Sequence, residues 1–183
     1  MFKGYAYLFI EGYLVQDHDM ILRAIELAKE AGLQVCLDMA SYNIVEGDLE
    51  FFSLLVNKYV DIVFANEEEA KAFTGKEPEE ALDIIAKMCS IAIVKVGARG
   101  SLIRKGTEMV QVQAAPVEKV GGHYRSWRLF CGRFLVWTDV WLLAGEMWQD
   151  RLPSLQRCDT SGGYRASGCT MGKNYKEEIL LIN

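Results

Sequence analysis

The chain is predicted to be an α/β domain, a three-layer αβα arrangement around a mostly parallel sheet with an antiparallel edge. Two observations predict it. From Tyr5 to Gly97, short apolar runs alternate with amphipathic segments of helical period, the grammar of right-handed βαβ crossovers. The last three apolar runs then follow one another through Gly-containing turns, which are too short to link parallel neighbours.

Residues 5–10, YAYLFI, form the first buried strand and end at Glu11-Gly12. From His18 to Ala31, Ile21, Leu22, Ile25, Leu27 and Ala28 fall at helical spacing, and Gly32 is a natural stop. LQVCLD (33–38) is a short strand, and Gly47-Asp48 is expected to open a second helix running through Tyr59. DIVFAN (61–66) is a strand followed at once by EEEAKAF, a helix whose acidic first turn suits the helix dipole. Glu77 to Cys89 reads as a further amphipathic helix with Pro78 near its first turn. IAIVKVG (91–97), SLIRK (101–105) and MVQVQA (109–114) are the three closing strands. In such sheets ligands bind beyond the C-terminal strand ends, which puts Gly12, Asp38, Asn66 and Gly97 along one rim.

At 183 residues the chain is long enough for one compact domain with a full core. Its 51% hydrophobic and 25% charged residues are ordinary for a soluble globular protein. A net charge of −5 argues against nucleic acid or an anionic membrane as the main partner. The five cysteines (Cys36, Cys89, Cys131, Cys158, Cys169) are odd in number and show no tight pairing pattern, which fits reduced thiols in a cytoplasmic protein. Met1 leads into a strand-like run without a basic leader and cleavage site, so no signal peptide is expected.

Composition breaks near Val120. Before it nine Lys accompany three Arg, and after it two Lys accompany six Arg. All four Trp (Trp127, Trp137, Trp141, Trp148) lie after it, with no Pro/Ser/Gly-rich linker between the halves. Residues 129–148 are apolar enough to suggest a membrane span, but Arg133, Asp139 and Glu146 interrupt them. Each would cost on the order of 2.5–3.5 kcal/mol in a bilayer, so no span is expected. His123, Cys131, Cys158 and Cys169 lack the paired short intervals of a zinc site. Thr160-Ser161-Gly162-Gly163 lacks the GxxxxGK[ST] frame of a phosphate loop.

Three phrases together, LDMASYNIV (37–45), DIVFANEEEAKAFTG (61–75) and IAIVKVGARGSLI (91–103), resemble the ribokinase-like PfkB family of carbohydrate and nucleoside kinases. With EGYLVQ (11–16) the resemblance covers about residues 5–120 and is nearest in wording to adenosine kinase-like members. It implies a Rossmann-like sheet, ATP and Mg²⁺ as cofactors, and a sugar or nucleoside as phosphate acceptor. Asn66 and Glu69 match the family's Asn-x-x-Glu motif, whose residues organise Mg²⁺, partly through water, near the ATP phosphates. Hard oxygen donors at a helix N-terminus suit that task, although an Asn cap with an acidic first turn would look the same in isolation. Lys95, Gly97, Gly100 and Ser101 resemble the loop that meets the nucleotide, where glycines let backbone amides approach closely; a plain β-turn is the alternative. Asp38 resembles a residue on the rim of the phosphate-transfer site, and a turn-capping Asp is its alternative. His18 is read as flanking its helix.

Two parts of the family pattern are missing. The acceptor-binding region and lid that begin family members do not precede Phe2, so Met1 is expected to lie inside a longer reading frame; the resemblance allows a homodimer in the parent enzyme, and the sequence does not give the oligomeric state. The signature Thr-x-Gly-Ala-Gly-Asp, whose backbone N–H groups hold transferring charge and whose Asp is the base, should follow VEKV; GGHYRSWRLFCGRF (121–134) stands there instead. Back-translated and read from the second nucleotide, that stretch is compatible with VDTTGAGDYFAAG, and Trp127 followed by an AGR arginine forces one of its glycines. The same offset across Glu146 to Ser154 permits KCGKIGSLL. The expectation is one inserted nucleotide near codons 120–121, giving a kinase core over 1–120 and an out-of-frame tail over 121–183. A native domain boundary is the alternative.

The chain is therefore expected to be a fragment of an ATP-dependent kinase, itself inactive, with no catalytic residue in this frame. A non-catalytic nucleotide-binding or interaction module is the alternative. A dinucleotide-binding oxidoreductase shares the βαβ grammar but lacks GxGxxG after its first strand.

Overall fold

The computed structural model describes residues 4–113 and 179–182. Strands β1 (Tyr7–Glu11), β2 (Gln34–Asp38), β3 (Ile62–Asn66) and β4 (Ile91–Lys95) lie side by side in parallel. β5 (Ser101–Lys105) and β6 (Glu108–Val112) continue the sheet antiparallel beyond β4. β7 (Ile179–Ile182) pairs antiparallel with β1 at the opposite edge, completing the order β6-β5-β4-β3-β2-β1-β7. The parallel centre and the antiparallel edge follow the expectation; β7, in a stretch with no preceding period, does not come from the sequence reading.

Among the described residues five α-helices fill the crossovers: α1 (His18–Glu30), α2 (Tyr42–Gly47), α3 (Leu49–Lys58), α4 (Glu67–Thr74) and α5 (Pro78–Ile85). Because strands 1 to 4 are laid down in one direction, right-handed crossovers must put every helix on the same face. The core shows this. Ile21 and Ile25 of α1, Phe52 and Leu55 of α3, Ala70 of α4 and Leu82 of α5 share one cluster with Leu8, Ile10, Val35, Leu37, Val63, Ala92 and Val94 of the strands. The alternate strand positions, Tyr7, Phe9, Cys36, Ile62, Phe64, Ile91, Ile93 and Ile103, form a second buried cluster on the other face, with Phe9 and Phe64 rings 5.9 Å apart. Among the described residues no helix belongs to that second cluster.

Local chemistry sets the helix ends. The Asp17 side chain caps α1 by accepting from the Met20 N–H at 3.1 Å, and α1 stops at Ala31 ahead of Gly32, whose φ is +80°. The helix expected to open at Gly47-Asp48 is instead two: α2 ends at Gly47, and α3 begins at Leu49 after Asp48. α5 ends at Ile85, short of Cys89, because the Ser90 and Ile91 N–H groups both turn to the Asp61 carbonyl at 2.9 and 3.0 Å and draw the chain into β4. Asp61 secures this end of the sheet further. Its carboxylate accepts from the Val35 N–H at 2.7 Å and from Lys29 Nζ at 2.5 Å. The opposite end, where the parallel strands terminate, is left for the candidate site.

His18 opens α1 as its sequence position suggested. Its ring stacks on Phe51 at 3.7 Å and its Nε2 pairs with Asp48, joining the starts of α1 and α3. Among the described residues no helix is long and apolar enough to cross a membrane. The stretch 129–148, the zinc-like set His123, Cys131, Cys158 and Cys169, and the segment 160–163 lie outside the described residues.

Candidate functional site

The C-terminal ends of the four parallel strands bring polar residues to one rim. Registers place Glu11 opposite Asp38, Asn66 opposite Lys95, and Lys95 opposite Ser101. Glu11, Asp38, Glu69 and Ser101 are all buried, which is rare for carboxylates and marks the rim as more than a solvated edge.

Asn66 and Glu69 form a reciprocal capping box at the start of α4. The Glu69 N–H donates to Asn66 Oδ1 at 2.8 Å, and the Asn66 N–H donates to Glu69 Oε2 at 2.8 Å. Asn66 Nδ2 adds a third bond to Glu69 Oε1 at 2.6 Å. The cap reading of this motif is thus realised, and the same bonds fix the carboxylate in place. Burial pushes the Glu69 carboxyl up to about 7, and the nearby Asp38 carboxylate adds to the rise; the Asn66 N–H and the Lys95 ammonium oppose it.

Asp38 ends β2 in a tight turn. Its Oδ1 accepts from the Ala40 N–H at 3.0 Å, so the turn-capping role also holds. The Ser41 N–H reaches back to the Met39 carbonyl at 2.7 Å across Ala40, whose φ of +63° is costly for a residue with a Cβ. Gly12, just past β1, meets this turn so closely that a Cβ there would lie 2.7 Å from the Met39 carbonyl oxygen and 2.8 Å from that of Asp38. No side chain fits, which explains why glycine follows Glu11.

Between β4 and β5, Gly97 to Arg99 make a single 3₁₀ turn closed by the Val96 N–H to the Gly100 carbonyl at 2.9 Å and the Gly100 N–H to the Gly97 carbonyl at 3.0 Å. Gly100 has φ 93° and ψ −126°, a conformation that only glycine adopts without strain. The Glu67 carboxylate lies 3.9 Å from where a Gly97 Cβ would sit, so this turn borders the start of α4.

The structure therefore gathers Asp38, Asn66, Glu69 and Lys95 at one rim, with Ser101 beside Lys95 and the Gly97–Gly100 turn at its border. Glu11 was not singled out from the sequence, although a Glu closing an apolar strand run was the available signal. Tyr13 and Tyr42, both exposed, also went unnamed. They stand in the 3₁₀ turn after β1 and at the start of α2, elements that pack against each other at this end of the sheet.

All the donors at this rim are hard oxygens, as Mg²⁺ requires. Among the described residues no group of three or more His, Cys, Asp or Glu could hold a metal alone. Mg²⁺ commonly keeps waters and phosphate oxygens in its shell, so two or three protein oxygens fit it. Burial, and after it the neighbouring Asp38 carboxylate, disfavour the ionised form of Glu69, and a cation bound beside both would offset that cost. Asn66, Glu69 and Asp38 are the residues that would hold it.

The adenosine kinase from Sinorhizobium meliloti is similar to the chain at 33% identity, with a TM-score of 0.58 over 62% of this chain and 36% of that one. A probable sugar kinase from Rhizobium etli is similar at 32% identity, with a TM-score of 0.58 over 61% and 36%. A fructokinase from Vibrio cholerae, in its fructose-, ADP- and calcium-bound form, shares the fold at 22% identity, with a TM-score of 0.63 over 73% and 46%. The chain thus spans little more than a third of the length of the first two. No curated protein matches it. The description pfkB family carbohydrate kinase matches residues 2–121, which takes in strands β1 to β6. The ribokinase-like sheet and the match over most of the chain lead to one conclusion: the chain belongs to the pfkB family of carbohydrate kinases.

Proposed function

We propose that residues 1–120 form the nucleotide side of an ATP-dependent phosphotransfer site, whose parent enzyme moves the γ-phosphate of ATP to a hydroxyl of a sugar or nucleoside. The observation that carries this reading is the buried Asn66–Glu69 box beside Asp38 and Lys95, at the strand ends where an open α/β sheet takes its ligand. Mg²⁺ bound there would supply charge neutralisation to the phosphate oxygens. The protein's own part is to hold its oxygens fixed: two hydrogen bonds from Asn66 lock the Glu69 carboxylate, the Glu69 N–H holds Asn66 Oδ1, and the turn after Asp38 holds the Asp38 carboxylate in place. Lys95 brings a positive charge to the same rim, and the Gly97–Gly100 turn, with Ser101 behind it, offers backbone close to a bound nucleotide. An S. meliloti adenosine kinase and an R. etli sugar kinase among the relatives support a nucleoside or sugar as the acceptor.

The chain itself is proposed to be inactive. The base and the anion-holding turn of the family signature have no counterpart in Gly121 to Phe134, and losses of such groups cost roughly 10²–10⁴ and 10²–10³ in rate. The family match ending at residue 121 supports a boundary near Val120, with an out-of-frame tail beyond it. The same missing signature favours a second reading, a non-catalytic nucleotide-binding or interaction module. Calorimetric titration of the full chain with Mg-ATP is the test: saturable heat is expected, and no heat at millimolar nucleotide would remove both nucleotide readings. Turnover with any sugar or nucleoside would overturn the proposed inactivity.

A further inference from the structure

Arg99, in the β4–β5 turn, is held from three other elements. Its guanidinium reaches Glu67 Oε1 in α4 at 2.8 Å and Glu79 Oε1 in α5 at 3.1 Å, and its carbonyl accepts from Gln111 Nε2 in β6 at 3.3 Å. Glu67 immediately follows Asn66, the cap of α4, and Glu79 stands in the first turn of α5. A planar guanidinium can serve two carboxylates at once, which a lysine ammonium does less well. The turn needs such fixing. It carries two glycines with positive φ, Gly97 and Gly100, and glycine-rich backbone has many conformations to lose.

We propose that Arg99 is a positioning residue: by bridging Glu67 and Glu79 it fixes the Gly97–Gly100 turn against the helix start that carries Asn66 and Glu69. The inference rests on the nucleotide reading above for its consequence in binding, but the tether itself is independent of it. Each ion pair is about half exposed, so neither contributes much to global stability. Their joint effect is local, on the distance between the turn and the capping box.

Amide hydrogen exchange on the full chain tests the tether without nucleotide. In Arg99→Ala and in Glu67→Gln, the Val96, Gly100 and Glu69 amides are expected to exchange faster, and the double variant no faster than Arg99→Ala alone. Arg99→Lys is expected to restore part of the protection. Exposed pairs are screened by salt, so wild-type protection at Val96 and Gly100 should fall as ionic strength rises while Arg99→Ala stays insensitive. Arg23→Ala, which removes the exposed Arg23–Glu26 pair on α1, is the control and should leave these amides unchanged. Unchanged exchange at Val96 and Gly100 in Arg99→Ala overturns the proposal. With Mg-ATP as probe, Arg99→Ala is expected to weaken binding on the order of three- to tenfold. An unaltered Kd beside a wild type that binds also overturns it. If the wild type binds no nucleotide, the nucleotide reading falls, and the exchange result alone decides the tether.

Discussion

Glu69 carries the most consequential chemistry of any single residue described. Its carboxyl titrates near 7 in the folded chain against an ordinary value of 4.5. Between those values the folded state keeps a proton that the unfolded state has released, so stability falls as pH rises through this window. The loss is on the order of 3 kcal/mol by the time pH passes 7, and it flattens beyond. Urea unfolding at pH 5, 6, 7 and 8 should show that decline in the wild type and a much flatter profile in Glu69→Gln; equal profiles would sink the assignment. A divalent cation favours the ionised carboxylate, so Mg²⁺ should raise the thermal midpoint more at pH 8 than at pH 5.5, and do neither in Glu69→Gln. Gly12 makes the other sharp residue-scale prediction. In Gly12→Ala the new methyl would meet two carbonyl oxygens of the β2–α2 turn, so either β1 or the Asp38 turn must move. Overpacking of this kind costs about 1–3 kcal/mol. The variant should lower the urea midpoint by that amount, and an unchanged midpoint would mean that the turn yields freely.

At the scale of elements, what was legible in the sequence was whatever a repeating period could carry. β1 to β6, α1 and α4 stand within a few residues of their expected places because strands buried on both faces read as continuous apolar runs, while half-buried helices carry a period of 3.6. The Asn66-x-x-Glu69 spacing was legible through its resemblance to a family motif, and the structure adds that these two residues cap α4 reciprocally. α2 was not legible. Its six residues, YNIVEG, include Asn, Gly and two β-branched residues, all indifferent helix formers, and one turn and a half is too short to show a face. It is held by the chain around it, with the Ile44 and Val45 N–H groups both bonded to the Ser41 carbonyl at 3.1 Å. The burial of Glu11 was hidden for a different reason. A Glu after an apolar run looks like a strand meeting solvent, and only the register that sets it opposite Asp38 shows that both are enclosed. Arg99 was illegible too, because its partners Glu67 and Glu79 lie 32 and 20 residues away and meet it only through the fold.

The whole molecule shows an asymmetry that bears on the unusual C-terminal third of the sequence. The five helices among the described residues cover one face of the sheet, while Tyr7, Phe9, Ile62, Phe64, Ile91, Ile93 and Ile103 make the other face apolar. A mostly parallel sheet with so apolar a second face requires a second helical layer. The described residues contain none on that face. Read one nucleotide out of phase, the codons of Gly121 to Phe134 and Glu146 to Ser154 are compatible with segments that read as helices, whereas the phase as given yields a run rich in Trp, Arg and Cys. On the reading proposed above, a single inserted nucleotide near codon 120 would account for both the compositional break and the end of the family match at residue 121. The source DNA is therefore expected to show one nucleotide fewer at that point. The chain read through in the restored frame should then bind less of a hydrophobic dye such as anilinonaphthalene sulfonate than the chain as given, and unfold at higher urea. DNA identical to the given sequence would overturn the frame reading and make the tail a genuine product. The kinase relationship would then describe the ancestry of the sheet, and nucleotide binding without phosphotransfer would become the function to test first.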